Sequence, residues 1–132
     1  MRAWRFEQDG KSLLALNIEG RVTRWRGVDF QQPETVCDTG PNIDTACLSE
    51  DGRWLAASST NGAVRVWDLP RRIQVGEFAA HTNRVVLERF LSQGTKLVVI
   101  HFMDSSFHEW DLAQWQKIRS WNAPVGFRPT SY

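Results

Sequence analysis

Residues 43–68 read IDTACLSEDGRWLAASSTNGAVRVWD, and this stretch decides the fold. Its apolar residues come in short or alternating runs, as at Val64, Arg65 and Val66. A period of two is the pleat of a half-buried β-strand, and no helical period is sustained across the segment. Asp51-Gly52 suits the positive φ of a tight hairpin turn. Asn61-Gly62 reverses the chain again, because an Asx side chain and a glycine both tolerate turn geometry. The unit therefore reads as consecutive antiparallel strands.

The pattern recurs on both sides. Trp25, Trp67 and Trp110 lie 42 and 43 residues apart, and Gly10, Gly52 and Gly94 are each 42 apart. Phe6, Leu48 and Phe90 precede those glycines at the same spacing, and Leu13, Leu55 and Leu97 follow them. The second turn returns at Glu19-Gly20 and Asp104-Ser105. A fourth, more polar strand is expected after each tryptophan, at about residues 33–38, 73–79 and 116–122. The expected fold is all-β, with four antiparallel strands per unit. The units divide as 1–40, 41–80 and 81–123, followed by a tail at 124–132 whose two prolines and glycine disfavour regular structure.

The residues Ser49-Glu50-Asp51-Gly52, Trp67-Asp68, Trp110-Asp111 and Ala80-His81 resemble the WD-repeat (tryptophan–aspartate) β-propellers. The repeat length of about 40–45 residues is that family's. Unit one departs from the pattern, with Trp25-Arg26 in place of the dipeptide. The resemblance implies propeller blades and a non-catalytic protein-interaction scaffold. Partner-binding residues would then sit on the end loops, at Asn42, Asp44, Thr60, Asn61, Thr82, Asn83, Arg84 and Met103. It also implies a polar network within each blade. By position His81, Asp104 and Trp110 match that network, with Trp67, Asp68 and Asp111 as the related structural residues. Val98, Val99 and Ile100 stand where a hydroxyl is expected. Unit two has Thr39 and Asn61 in the His and Asp positions, and unit one has Glu19 in the Asp position.

Catalytic and metal chemistry find little support. A His–Asp pair can activate a nucleophile, but no Ser or Cys stands at a recognisable elbow beside it. His101 and His108 flank Asp104 on opposite arms of one hairpin, yet zinc wants a third or fourth ligand at regular spacing. No phosphate-cradling glycine loop occurs. The expectation is a protein that is not an enzyme, with no metal and no cofactor.

Composition agrees with a soluble domain: 42% of residues are apolar and 23% charged. The net charge of +1 is too small to steer the molecule to nucleic acid. Arg21, Arg24 and Arg26, and the pair Arg71-Arg72, read as solvated strand edges and turns. No apolar run approaches the roughly 18 residues that span a bilayer, and the N-terminus lacks a secretion signal. Cys37 and Cys47 form no CxxC motif or disulfide framework, which points to a reducing, cytoplasmic compartment. Seven tryptophans are present, and the repeat accounts for three.

Propellers have typically 4–8 blades, and three units are too few to close a ring. Two blade faces would stay uncovered, which implies association. A cyclic dimer would supply six blades; otherwise the missing blades come from another propeller half or from the rest of a longer protein. A small-ligand carrier or enzyme built on a closed barrel is the remaining alternative, and the 42-residue register argues against it.

Overall fold

A computed structural model describes residues 3–6, 12–17, 19–26, 32–40, 43–81, 83–101 and 106–122. Twelve strands follow one another among them: β1 (Ala3–Phe6), β2 (Ser12–Leu16), β3 (Arg21–Arg26), β4 (Gln32–Asp38), β5 (Thr45–Leu48), β6 (Trp54–Ser58), β7 (Ala63–Asp68), β8 (Ile73–Ala79), β9 (Val85–Leu91), β10 (Lys96–His101), β11 (Ser106–Asp111) and β12 (Gln116–Asn122). They form three four-stranded antiparallel meanders: sheet 1 from β1–β4, sheet 2 from β5–β8 and sheet 3 from β9–β12. The helical content of the described residues is one 3₁₀ turn, Ser92–Gly94. None of their helices is long and apolar enough to cross a membrane. The fourth strands appear where the sequence places them. Gly10, which the repeat assigns to a hairpin turn, lies outside the described residues.

The repeat is visible atom by atom. Leu13 pairs with Trp25, Leu55 with Trp67 and Leu97 with Trp110. Each third strand carries a register shift opposite the fourth, between Val22 and Thr23, Val66 and Trp67, and Glu109 and Trp110. Such bulges deepen the twist of a strand pair. Gly62 closes the β6–β7 turn at φ +87°, with its N–H donated to Ser59. A Cβ there would lie 2.2 Å from the His81 carbonyl oxygen, so the turn and the connection into sheet 3 meet backbone to backbone. Only glycine satisfies both demands.

Sheet 2 is enclosed on both faces. Ala46, Leu48, Leu55, Ala57 and Leu69 join Leu14, Leu16, Val22 and Val36 of sheet 1 in one core. Cys47, Ala56, Val64, Val66 and Phe78 join Val85, Leu87, Leu97 and Val99 of sheet 3 in the other. Hence β5 is buried at every position, without the polar alternation of a strand with one wet face. The first strands of successive sheets adjoin, β1 against β5 and β5 against β9. Leu14, Leu55, Leu69, Leu87 and Leu97 are fully buried, and burial stabilises by about 1.5–3 kcal/mol for each such side chain. The described residues close no ring.

The two outer faces differ. Alternation turns Leu13, Ala15, Thr23 and Trp25 away from sheet 2, and all four are half-buried. On the face of sheet 3 turned away from sheet 2, Val86 is 2% exposed, Val98 7% and Ile100 1%.

Candidate functional site

The junction between sheets 2 and 3 holds the densest chemistry. Its connection runs from β8 to β9 through His81, Asn83 and Arg84. Because β9 pairs antiparallel with β10, the end of β10 returns beside the start of β9, and His101 lies opposite Val85. β11 then runs back alongside, bringing Ser106 and His108 onto the same face as His101. The result is a cluster of all three histidines of the chain. The His81 and His101 rings are 4.0 Å apart between centroids and tilted by 49°. His101 and His108 stack at 3.6 Å and 17°. His101 and His108 are buried, and His81 is half-buried.

Two further contacts orient the cluster. The Asn83 backbone N–H donates to His81 Nδ1 at 3.0 Å, which leaves the His81 proton on Nε2 while the ring is neutral. Ser106 Oγ and His108 Nε2 are 2.8 Å apart. A neutral His108 can accept there from the hydroxyl, whereas an imidazolium can only donate. Two unit charges about 4 Å apart repel by about 4 kcal/mol at an effective dielectric constant of about 20.

This geometry decides what the cluster can do. Near-parallel rings direct their in-plane lone pairs alongside one another, not onto a common point. Among the described residues no group of three or more His, Cys, Asp or Glu is arranged to hold a metal. Ser106 and His108 are 8% and 7% exposed, so the Ser–His contact is buried.

Of the residues expected to form a polar network, His81 and Trp110 are among the described residues. Asp104 lies outside the described residues. Trp110 packs on Phe78 at 4.5 Å, and the indole N–H groups of Trp67 and Trp110 find no hydrogen-bond partner among the described residues. The aspartates of the Trp-Asp pairs serve the turns that follow them. Asp111 accepts the N–H groups of Ala113 at 2.8 Å and Gln114 at 3.3 Å, and Asp68 accepts that of Arg71 at 3.4 Å. Asp68, fully buried, is also reached by Arg53 at 3.2 Å. Both turns end on a residue at φ +56°, Arg72 and Trp115.

The end-loop candidates fall into three groups. Asn42, Thr82 and Met103 lie outside the described residues. Asp44 and Arg84 bind each other in a two-pronged ion pair, at 2.8 Å through Nε and 2.7 Å through Nη2. Those hydrogen bonds raise the Arg84 pKa, so its guanidinium stays charged. The pair ties the start of β5 to the start of β9. Thr60, Asn61 and Asn83 are exposed at the same end. Asn61 Oδ1 accepts from the Ser59 hydroxyl at 2.5 Å and the Ala63 N–H at 3.0 Å, which shapes the turn that displays it.

Two tryptophans outside the repeat are also accounted for at this junction. Trp54 and Trp115 pack against its core. Trp115 lies over Gly76, where a Cβ would come within 2.1 Å of the indole. Cys37 and Cys47 are buried and share no disulfide. Burial, and then the adjacent Asp38 carboxylate, push the Cys37 thiol pKa up against the opposing pull of Arg72, so the thiol stays protonated and unreactive. No family model and no curated protein matches the chain.

Proposed function

We propose that the chain is a three-blade segment of a WD-repeat β-propeller that serves as a non-catalytic interaction scaffold, completed by further blades docking on sheet 1. One observation carries this reading. Leu13, Ala15 and Trp25 occupy, on the outer face of sheet 1, the repeat positions that Leu55, Ala57 and Trp67 use against sheet 1, and that Leu97, Val99 and Trp110 use against sheet 2. The same three positions pack on a neighbour twice, and the third set stays half-buried. The occupant that fits is a sheet of the same kind, offering an aliphatic face such as Leu14, Leu16, Val22 and Val36.

Those blades come from a second copy or from another propeller half. A head-to-tail dimer must also seat sheet 1 of one copy on the outer face of sheet 3 of the other. Val86, Val98 and Ile100 are already buried on that face, which favours blades supplied from outside this stretch of chain. Thr60, Asn61 and Asn83, exposed at one end, form the surface for other protein partners.

Sedimentation velocity on the full chain and on Trp25→Glu tests the reading. Assembly larger than the 15.2 kDa chain, lost in Trp25→Glu, supports a second copy as the source. A wild-type monomer in which Trp25 resists quenching by acrylamide would overturn sheet 1 as a docking face. A monomer with accessible Trp25 assigns the blades to another polypeptide.

A further inference from the structure

We propose that the outer edge of sheet 3 is a docking strip for an acidic, extended segment of a partner protein, which adds to β12 as a fifth strand and sets a carboxylate on Arg119. Among the described residues β12 pairs with β11 alone, at the end of the sheet. All seven of its residues are exposed. An uncovered edge strand presents a row of backbone N–H and C=O groups that templates another strand.

The three fourth strands are equivalent by register, yet β12 stands apart. Glu34, Gly76 and Arg119 hold the same position, opposite Arg24, Val66 and Glu109. In sheets 1 and 2 a turn of the following sheet sits on that position. Arg72 pairs with Glu34 at 2.8 Å, and Trp115 lies over Gly76. Each occupant suits its seat, a guanidinium on a carboxylate and an indole on a residue with no side chain. Among the described residues no fourth sheet follows β12. The complement of an exposed guanidinium is a carboxylate, which it can bind through two parallel hydrogen bonds. The charges along the strands agree. β4 carries Glu34 and Asp38 and β8 carries Glu77, whereas the charged residues of β12 are Lys117 and Arg119. Pro33 also blunts β4 as a template, and β12 contains no proline.

Arg119 is held ready for such a ligand. Its Nε and Nη2 reach Oε1 of the buried Glu109 at 3.1 and 3.0 Å. The guanidinium also lies over the Trp121 ring, 5.2 Å from its centroid, and Trp121 stacks on Phe107 at 5.5 Å and 17°. A guanidinium has five N–H donors in a planar fork, so it can grip a second carboxylate while keeping Glu109. The Arg119 side chain is 68% exposed, which leaves that approach open. Holding it in place before binding lowers the ordering cost that a loose surface arginine would incur. Ile118 and Trp121, both exposed, add apolar contact on the same strand. A second β12 is a poor occupant, because it brings only positive charge. The segment that fits alternates acidic and apolar side chains.

The experiment uses the full chain and a fluorescein-labelled peptide of alternating valine and glutamate, as long as β12, with the valine–lysine peptide as its counterpart. Fluorescence anisotropy at low salt measures affinity, and amide exchange followed by NMR locates the site. The glutamate peptide should bind at least about tenfold tighter than the lysine one and slow exchange of the β12 amides, with molar salt weakening it. Lys117→Glu and Arg119→Gln should each weaken it by about tenfold. Arg119→Gln also leaves the Glu109 carboxylate without its partner, so if that variant fails to fold, Lys117→Glu and Trp121→Ala decide. Equal binding of the two peptides, no binding of the glutamate peptide at millimolar concentration, or protection on a strand other than β12 would overturn the proposal. So would self-association of the wild type that Lys117→Glu abolishes, which would assign the edge to a second copy of the chain.

Discussion

Sheet 2 meets sheet 1 and sheet 3 on one backbone plan, but the side chains that hold the two junctions differ in kind. In both, the turn after the third strand reaches back to the preceding sheet through a residue at φ +56°. At the first junction that residue is Arg72, whose guanidinium pairs with Glu34 of β4 at 2.8 Å. At the second it is Trp115, laid over Gly76 of β8 near Phe78. The connections differ too. Thr39 of the first donates its hydroxyl to Gly20 at 2.8 Å, whereas the second carries the histidine cluster and the Asp44–Arg84 pair. Further in, the Thr45 hydroxyl reaches the Val85 carbonyl and the Leu87 N–H, both at 3.3 Å. One junction is thus clasped by an exposed ion pair, and the other by packed aromatic rings, clustered imidazoles and the Asp44–Arg84 pair. The repeat supplies the shape of an interface, and substitutions at equivalent positions set its strength and its response to solution conditions.

The sharpest way to break this comparison is to open a cavity in each junction. Leu14→Ala and Leu87→Ala remove fully buried side chains, and each should cost about 2–5 kcal/mol in urea unfolding. Leu87→Ala should cost more, because flat, rigid indole and phenyl neighbours relax poorly into a void. Equal costs would mean that the aromatic clasp adds no rigidity.

Gly76→Ala attacks the clasp itself. Its new methyl must displace Trp115, at a cost of about 1–3 kcal/mol, together with a red shift of tryptophan emission. Unchanged fluorescence would show that Trp115 does not depend on this seat. The counterpart at the first junction, Arg72→Ala, should cost less than about 1 kcal/mol, since exposed ion pairs contribute little. Its effect should vanish in molar salt. A salt-insensitive loss would place Arg72 in packing, not in charge.

The smallest effect lies outside both junctions and serves as their control. Burial pushes the Asp51 carboxyl pKa up, but the Ser49 hydroxyl at 2.6 Å and the Arg53 N–H at 3.0 Å outweigh it and hold the pKa below the ordinary value. A lowered carboxylate contributes stability above its unfolded pKa and loses it as pH falls through the folded one. Asp51→Asn should therefore flatten stability only below about pH 4. An equal effect of Asp51→Asn at neutral pH would show that the lowered carboxyl pKa is not its cause.

Some of this was legible in the chain and some was not. The tryptophan and leucine spacings mark positions that pair across β2–β3, β6–β7 and β10–β11, because hairpins are local and their register depends on turn chemistry and alternation. The non-repeat tryptophans were opaque: Trp115 has meaning only through Gly76, on another sheet. The histidines were visible as two separate arrangements, His81 with Asp104 and His101 with His108. Their union needs β9 folded back on β10, which places the start of one strand beside the end of the next. Asp44 and Arg84 read equally well as free binding residues, and only the packing of sheet 2 on sheet 3 joins them.

By itself, then, the sequence determined the strands, their turns and their threefold repetition, because a period of two and a glycine at positive φ are properties of neighbouring residues. The tertiary structure decided which faces are covered, which charges neutralise each other and which imidazoles touch. Those contacts join different strands and connections, some of them 40 residues apart in the chain, as Asp44 and Arg84 are, and no local rule of chain conformation specifies them.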